Sequence, residues 1–272
     1  MNYHSDKWIM ERVQEHYNEA LTVFPEDKIL CIVLQGSQNY GLDYANSDID
    51  TKCIVLPTLD DICLNKKATS YTHVRENNEH IDFKDLRVIT GDFKKQNINF
   101  LEVLFSPYII INPDYSSMFK TLLDNAEAIA RYDNYRFVRA TAGMSMEKHK
   151  ALTLDRPSQH EEIVKYGWSC KQLHHIIRLN TFLKRWINGA NFQDCLIDPY
   201  SDYLVAVKKN GHSMFDLNAA KEVAKYIDDE TNDIKEKYIS AHYHVINDDI
   251  GKMIDDVVVD IIKTSLKKEI NK

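Results

Sequence analysis

One continuous apolar run limits the folds open to this chain. Residues 29 to 34 read ILCIVL, with no polar position. Such a run, bounded by polar residues, is typical of a strand buried on both faces of a sheet. Gly36-Ser37 follows it, and after a polar loop the segment DIDTKCIVLP predicts a second strand that Pro57 ends. The N-terminal part of the chain is therefore predicted to form a sheet.

Other patterns complete a small mixed sheet covered by helices and then change in character. Before residue 113, the predicted elements are helices at 5–24, 58–64 and 84–96 and strands at 69–75 and 79–84. After it, helical periods occupy 114–130, 134–150, 161–187, 216–230 and 248–268, and only 203–209 suggests a strand. The fold class predicted is α+β, with an α/β domain over residues 1–112 and a helical domain over 113–272.

Composition restricts the partners. Because the net charge is −7, we do not expect the protein to bind nucleic acid electrostatically over a large surface, although a local basic cleft stays possible in such a chain. No apolar run is long enough to cross a membrane. The five cysteines form no CxxC pair, which favours reduced thiols and a cytoplasmic location over disulfides or zinc.

Two carboxylates start the second predicted strand. Asp48 and Asp50 are two residues apart, so strand alternation puts both side chains on one face. Neighbouring carboxylates repel each other and are stabilised by a cation. Hard oxygen ligands suit Mg²⁺ or Mn²⁺. The pair is predicted to bind such an ion, although either residue alone also fits a solvated strand end.

The loop before this pair has the composition of a phosphate site. Gly36 permits close backbone approach, Ser37 supplies a hydroxyl, and successive N–H groups can hold a phosphate. A phosphate cradle beside a metal site is what nucleotidyl transfer requires. The chain contains neither GxxxxGK[ST] nor GxGxxG, which excludes a P-loop and a Rossmann fingerprint.

These motifs resemble a known superfamily. G-S, ten residues and D-x-D, here GSQNYGL followed by NSDID, are similar to the signature of the DNA polymerase β-like nucleotidyltransferases. NFLEVLFSP and KQLHHIIRL further resemble the "predicted nucleotidyltransferase" branch of bacteria and phages. The resemblance implies a small nucleotidyltransferase domain fused to a helical domain, with Mg²⁺ and a nucleoside triphosphate, ATP being favoured. It leaves the acceptor open, RNA or protein among others.

Active members of that superfamily usually carry a third carboxylate on a later strand. The segment EHIDFKD offers Glu79, Asp82 and Asp85. Ile81 and Phe83 alternate with Asp82, so Asp82 is predicted to face away from the apolar pair and to complete the metal site. A solvated hairpin carboxylate is the alternative.

A stripe of nitrogen-bearing side chains is predicted on one later helix. Lys171, His174, His175 and Arg178 recur at helical spacing, opposite an apolar side, and are assigned to nucleotide or acceptor phosphate binding. An ordinary solvated face explains the spacing equally well, and the resemblance favours the functional interpretation.

The sequence thus predicts a Mg²⁺-dependent nucleotidyltransferase. Asp48, Asp50 and Asp82 are its predicted catalytic and metal-binding residues. Asp48 and Asp50 are predicted to bind two metal ions, Asp82 completes the site and orients or deprotonates the acceptor, and Gly36 and Ser37 hold the triphosphate. Two alternatives stay open: a catalytically silent nucleotide-binding or regulatory module, and a toxin–antitoxin component that binds a partner.

Overall fold

A computed structural model describes residues 2–271. This part of the chain forms two compact units. The first comprises residues 2–39, 43–133 and 246–271, and the second comprises residues 40–42 and 134–245.

The first unit is a mixed sheet with helices. Its elements up to residue 133 are α1 (Asp6–Ala20), β1 (Ile29–Gln35), β2 (Asp50–Val55), α2 (Leu59–Cys63), β3 (Ser70–Val74), β4 (His80–Asp85), α3 (Leu86–Lys94), α4 (Ile98–Leu101), β5 (Ile109–Ile111), α5 (Ser116–Asp124) and α6 (Ala126–Ala130). The strand order in this described part is β3-β4-β2-β1-β5. Strands β2 and β4 pair in parallel, and the other neighbours pair antiparallel. The predicted mixed sheet is confirmed, with β5 as an additional edge strand.

Helix α1 covers the sheet because its apolar positions recur on one side. It begins at Ser5, whose side chain accepts a hydrogen bond from the Trp8 N–H. Ile9 and Val13 are fully buried in the same apolar cluster as Ile32 of β1. Burial of this face anchors the helix to the two central strands.

The second unit is helical. Its elements are α7 (Asn134–Ala151), α8 (His160–Tyr166), α9 (Cys170–Ile187), α10 (Phe192–Leu196), α11 (Ser201–Met214) and α12 (Leu217–Ala241). The chain then returns to the first unit as α13 (Asp248–Ile270). There the Lys28 ammonium donates to Glu269 Oε2 at 2.5 Å and to Ser265 Oγ at 3.1 Å, which ties α13 beside β1.

Two predictions for the second unit need correction. The strand predicted at 203–209 is wrong, because this segment lies inside helix α11. Leu204 and Val207, three residues apart, are both fully buried, so packing along one helical side overrides the β-branched composition. The single helix predicted at 161–187 is two helices, since Gly167 takes a left-handed φ of +78° and ends α8.

The compact units divide the chain differently from the predicted boundary at residues 112/113. Helices α5, α6 and α13 belong to the first unit. The change near residue 113 marks where strands give way to helices, and a helix can pack on a sheet unit as readily as on other helices. Across residues 2–271, no helix has the combined length and apolarity that crossing a membrane requires.

Candidate active site

The Gly36 loop leaves the sheet with a backbone conformation that favours glycine. Strand β1 is buried up to Leu34, and Gly36 then takes φ +107°. A Cβ placed at Gly36 meets no atom within 4 Å, so its conformation rather than crowding requires glycine here. The open space above Gly36 is available to a ligand. Ser37 follows at the start of a 3₁₀ turn that ends at Tyr40.

Two side chains of this turn tie it to its neighbours. Gln38 donates from Nε2 to the Asp48 carbonyl at 2.8 Å. Asn39 donates from Nδ2 to the Leu34 carbonyl at 2.9 Å. In the antiparallel register, Gln35 lies opposite Asp50. The Gly-Ser turn and the two aspartates are therefore held side by side.

The aspartate pair lies at the edge of the core. Asp48 is exposed, Ile49 is fully buried and Asp50 is half-buried, as strand alternation predicts. Burial, followed by the negative charge of Asp48, raises the pKa of Asp50. His80 lowers that pKa in part, since its Nδ1 lies 2.9 Å and its backbone N 3.1 Å from Asp50 Oδ1.

This donor set fits a divalent cation. The oxygens are hard ligands, and the charge of Asp48 disfavours ionisation of Asp50. A cation beside the pair would remove that unfavourable interaction. Asp48 and Asp50 are the residues that would hold it.

Asp82 faces the same side of the sheet and has two lysine partners. Lys52 lies opposite Asp82 in the parallel register, just as Asp50 lies opposite His80. Lys52 Nζ is 2.9 Å from Asp82 Oδ2, and Lys84 Nζ is 3.1 Å from Oδ1. The Lys52 side chain is 2% exposed and its ammonium lies 4.4 Å from the centre of the Phe100 ring. Burial lowers the pKa of Lys52, and Asp82 opposes that effect.

The three predicted aspartates do not converge on one point. Within residues 2–271, the oxygens of Asp48, Asp50 and Asp82 are not gathered within 4.8 Å of one another. Asp82 is thus on the predicted face, but both oxygens of its carboxylate form ion pairs with lysines.

The two other carboxylates of this segment have structural contacts. Asp85 caps α3 and accepts from Arg87 Nη2 at 2.6 Å. Glu79 is buried and accepts from the Ile49 N–H at 3.3 Å, between the two aspartates. Burial opposes ionisation of Glu79, but hydrogen bonds from His16, Asn77 and Arg12 outweigh it and lower the pKa of Glu79 to about 2. Glu79 therefore supports the backbone that carries the aspartate pair.

The predicted stripe on α9 is only partly exposed. Lys171 is exposed and His175 half-buried, whereas His174 is 3% and Arg178 4% exposed. His174 Nδ1 lies 3.0 Å from the Leu204 carbonyl, to which it donates. Burial lowers the pKa of His174 to about 3 and lowers the pKa of His175 as well. Both rings are neutral at physiological pH, so the stripe carries two cations rather than four basic groups.

Cations nevertheless cluster in this unit. Burial lowers the pKa of Lys148, and the positive charges of Lys171, Arg156 and Arg178 lower it further. The Arg178 guanidinium lies 4.1 Å from the centre of the Tyr40 ring, a cation–π contact inside the second unit. Mutually repelling cations of this kind are stabilised by an anion.

Comparison with known proteins settles the family. The sequence model of one protein family matches residues 6–259. This family is RlaP, described as the RNA repair pathway DNA polymerase beta family. This chain belongs to the RlaP family. No curated protein matches it. A crystal structure of a nucleotidyltransferase-like protein from Exiguobacterium sibiricum 255-15 is similar over 84% of this chain and 75% of that one, at 12% identity and a TM-score of 0.30.

Membership of the RlaP family confirms the resemblance to polymerase β-like nucleotidyltransferases. Sequence reasoning missed the residues that hold the motifs of this RlaP chain in place. Gln38 and Asn39 lie inside the quoted motif, and their amide side chains were a usable signal for loop anchoring. The pairing of Lys52 with Asp82 had no local signal, because it depends on the register of two strands far apart in sequence.

Proposed function

We propose that this chain transfers a nucleoside monophosphate from a nucleoside triphosphate, with ATP favoured, to an acceptor hydroxyl, and that Mg²⁺ or Mn²⁺ is required. One observation carries the proposal above the rest: Gln38 ties the Gly-Ser turn to Asp48, beside a second carboxylate whose pKa is raised. This arrangement joins a phosphate cradle to a cation site.

The roles proposed for the residues follow from their chemistry. The backbone N–H groups after Gly36 and the Ser37 hydroxyl bind the triphosphate. Asp48 and Asp50 hold the cation, which when bound neutralises phosphate charge and lowers the pKa of the attacking hydroxyl. His80 orients Asp50 through the hydrogen bond to Oδ1. Asp82 accepts the proton of the acceptor hydroxyl once its lysine contacts rearrange.

The cations of the second unit are proposed to bind phosphate groups. Lys171, Arg178 and Lys148 supply the charge. His174 and His175 contribute as neutral rings, His174 by fixing α9 to the Leu204 carbonyl. Substituting these cations and measuring the Kd for the nucleoside triphosphate and the Kd for the acceptor separately shows which of the two they bind.

An RNA end is the proposed acceptor. The RlaP family is described as belonging to an RNA repair pathway. The net charge of −7 is unfavourable for a large electrostatic footprint, so we propose that a local cationic cluster holds the RNA terminus.

The direct test is pyrophosphate release from each of the four nucleoside triphosphates in Mg²⁺, with and without RNA that has a free 3′ hydroxyl. We expect release that depends on RNA and transfer of an α-³²P label into the RNA. Release with no labelled RNA would redirect the search to a protein or small-molecule acceptor. No release with any acceptor from a cell extract would contradict the proposal.

One observation favours a second candidate, the catalytically silent nucleotide-binding module. Both carboxylate oxygens of Asp82 contact lysines, and a site of this kind can bind nucleotide without completing the transfer. This candidate predicts tight Mg²⁺-dependent nucleotide binding with no turnover under any of the conditions above.

A further inference from the structure

A separate group of metal-ligating side chains lies in the second unit. It consists of Glu162 on α8, Cys170 at the first turn of α9 and His212 near the end of α11. One ligand atom from each lies within 4.8 Å of the other two. In residues 2–271, this is the one such group of three or more. Nothing in the proposed nucleotidyl transfer uses it.

The distance between the thiol and the imidazole matches that between two ligands of one ion. Cys170 Sγ lies 3.4 Å from His212 Nδ1. Zinc bonds of about 2.3 Å to sulfur and about 2.0–2.1 Å to nitrogen, at a tetrahedral angle, place the two ligand atoms about 3.5 Å apart. Glu162 Oε1 lies 3.4 Å from His212 Nε2, the nitrogen on the other side of the ring, and accepts from the Cys170 N–H at 2.8 Å, which holds the carboxylate beside both the ring and the thiol.

The imidazole is oriented for ligation. His212 Nε2 lies 3.1 Å from the Trp168 carbonyl and donates to it, so the lone pair belongs to Nδ1, the nitrogen that faces sulfur. The ring also stacks on Tyr166, with centres 3.7 Å apart. Metal-bound histidines usually donate their other ring N–H to a carbonyl or carboxylate in this way.

The backbone of α11 departs from helical geometry to bring His212 here. Asn210 takes φ −128° and ψ 16° inside the helix. At the next residue, a Cβ on Gly211 would lie 2.7 Å from Cys170 Sγ. Only glycine lets the backbone of α11 come this close to the Cys170 sulfur.

We propose that Glu162, Cys170 and His212 bind one Zn²⁺, with water as the fourth ligand. A thiolate and an imidazole select Zn²⁺ over Mg²⁺. Binding would release the Cys170 thiol proton to solvent and replace the sulfur contact to His212 with two bonds to the ion. The ion joins α8, α9 and α11 and is independent of the Asp48–Asp50 pair.

The test is metal binding by the full chain, measured as the zinc content after dialysis and as the thiolate-to-Co²⁺ charge-transfer band on titration with Co²⁺. We expect one equivalent of zinc and one thiolate–Co²⁺ band that added Zn²⁺ abolishes. Cys170→Ser should lose the band, whereas Cys195→Ser, which removes another buried thiol of the same unit, should keep it.

Glu162→Gln provides a second measurement if Cys170→Ser fails to fold. Its side chain is 27% exposed, so the change is tolerated, and Zn²⁺ affinity should fall by about tenfold or more. Absence of bound zinc together with absence of the band in the wild-type chain overturns the proposal and leaves a hydrogen-bonded Cys–His pair. A band that survives Cys170→Ser, or an unchanged affinity in Glu162→Gln, also overturns it.

Discussion

The aspartate pair at the start of β2 and the polar side chains of α9 meet very different surroundings. Asp48 and Asp50 flank a buried isoleucine and stay open to solvent in part. On α9, His174 and Arg178 are almost fully buried. Among the helices, α1 and α3 contact strand β2, whereas α7, α10, α11 and α12 all pack against α9.

This difference decides how far each residue can serve function alone. An exposed carboxylate can be neutralised with little effect on packing. A buried cation or hydrogen-bonded ring also supports the fold, because its removal leaves other buried groups without partners. Substitutions of the aspartate pair therefore report mainly on chemistry, and those on α9 report on chemistry and stability together.

Asp82 provides the largest test of this contrast, since it joins a predicted catalytic role to a buried partner. If it accepts the acceptor proton, Asp82→Asn should lower kcat by about 10²–10⁴ and retain Mg²⁺–nucleotide binding. Turnover and nucleotide affinity are measured on the same preparation. Unchanged turnover would make Asp82 a purely structural partner of Lys52.

A double change separates the two roles of Asp82. Lys52→Met with Asp82→Asn removes the buried ammonium that the single change leaves poorly neutralised. We expect the double variant to be more stable in urea than Asp82→Asn and equally slow in turnover. Recovery of turnover together with stability would show that the single variant is slow only because it is distorted.

Glu79→Gln tests the support beneath the aspartate pair. A pKa lowered from 4.5 to about 2 means that ionised Glu79 stabilises the fold above pH 4.5, and that this is lost as pH falls from 4.5 towards 2. The variant should lose about 1.5–3 kcal/mol of unfolding free energy at pH 7, the usual net contribution of hydrogen bonds to a charged group, and its stability should fall less steeply than that of wild type as pH drops from 4.5 towards 2. Urea unfolding at pH 7 and pH 3 measures both. Exposed Glu76→Gln is the control, and equal behaviour of the two variants would contradict the role of Glu79.

Two cations on α9 sharpen the comparison within one helix. Arg178→Gln removes a buried guanidinium and its contact with Tyr40 and should cost about 2 kcal/mol of unfolding free energy. Lys171→Gln removes an exposed cation and should change stability by no more than about 0.5 kcal/mol. Both should weaken nucleotide or RNA binding, measured by titration. If both variants fold and bind nucleotide and RNA as wild type does, the stripe on α9 takes no part in binding either ligand.

Ser37→Ala is expected to have the smallest effect. Loss of one neutral hydroxyl contact, worth about 0.5–1.5 kcal/mol, should raise the Kd for Mg²⁺–nucleotide by about two- to tenfold. The control is Ser117→Ala, which removes an exposed serine hydroxyl of the same unit and should leave this Kd unchanged. An unchanged Kd in Ser37→Ala would leave triphosphate binding to the backbone alone.

How much the sequence predicts follows from the same contrast. The period of two around Ile49 and Ile81 predicts correctly which strand residues enter the core, because a strand has two faces and one of them is apolar. The partner of Asp82 is not predictable, since Lys52 meets it through a parallel register. On α9 the helical spacing of polar residues predicts a polar side. His174 is nevertheless buried, because it donates a hydrogen bond to the Leu204 carbonyl of α11, a segment that the sequence predicted as a strand.

The central claim is that the Asp48–Asp50 pair binds the cation on which transfer depends. It is tested most directly by turnover and Mg²⁺–nucleotide binding in Asp48→Asn with Asp50→Asn. The matched control is Asp124→Asn with Asp256→Asn, which removes two exposed carboxylates of the same unit. We predict that the first variant loses transfer by at least about 10³-fold while its metal-free fold is as stable as wild type or slightly more so, because like-charge repulsion is removed. The control should keep wild-type turnover, and transfer by the first variant at the control's rate would contradict the claim.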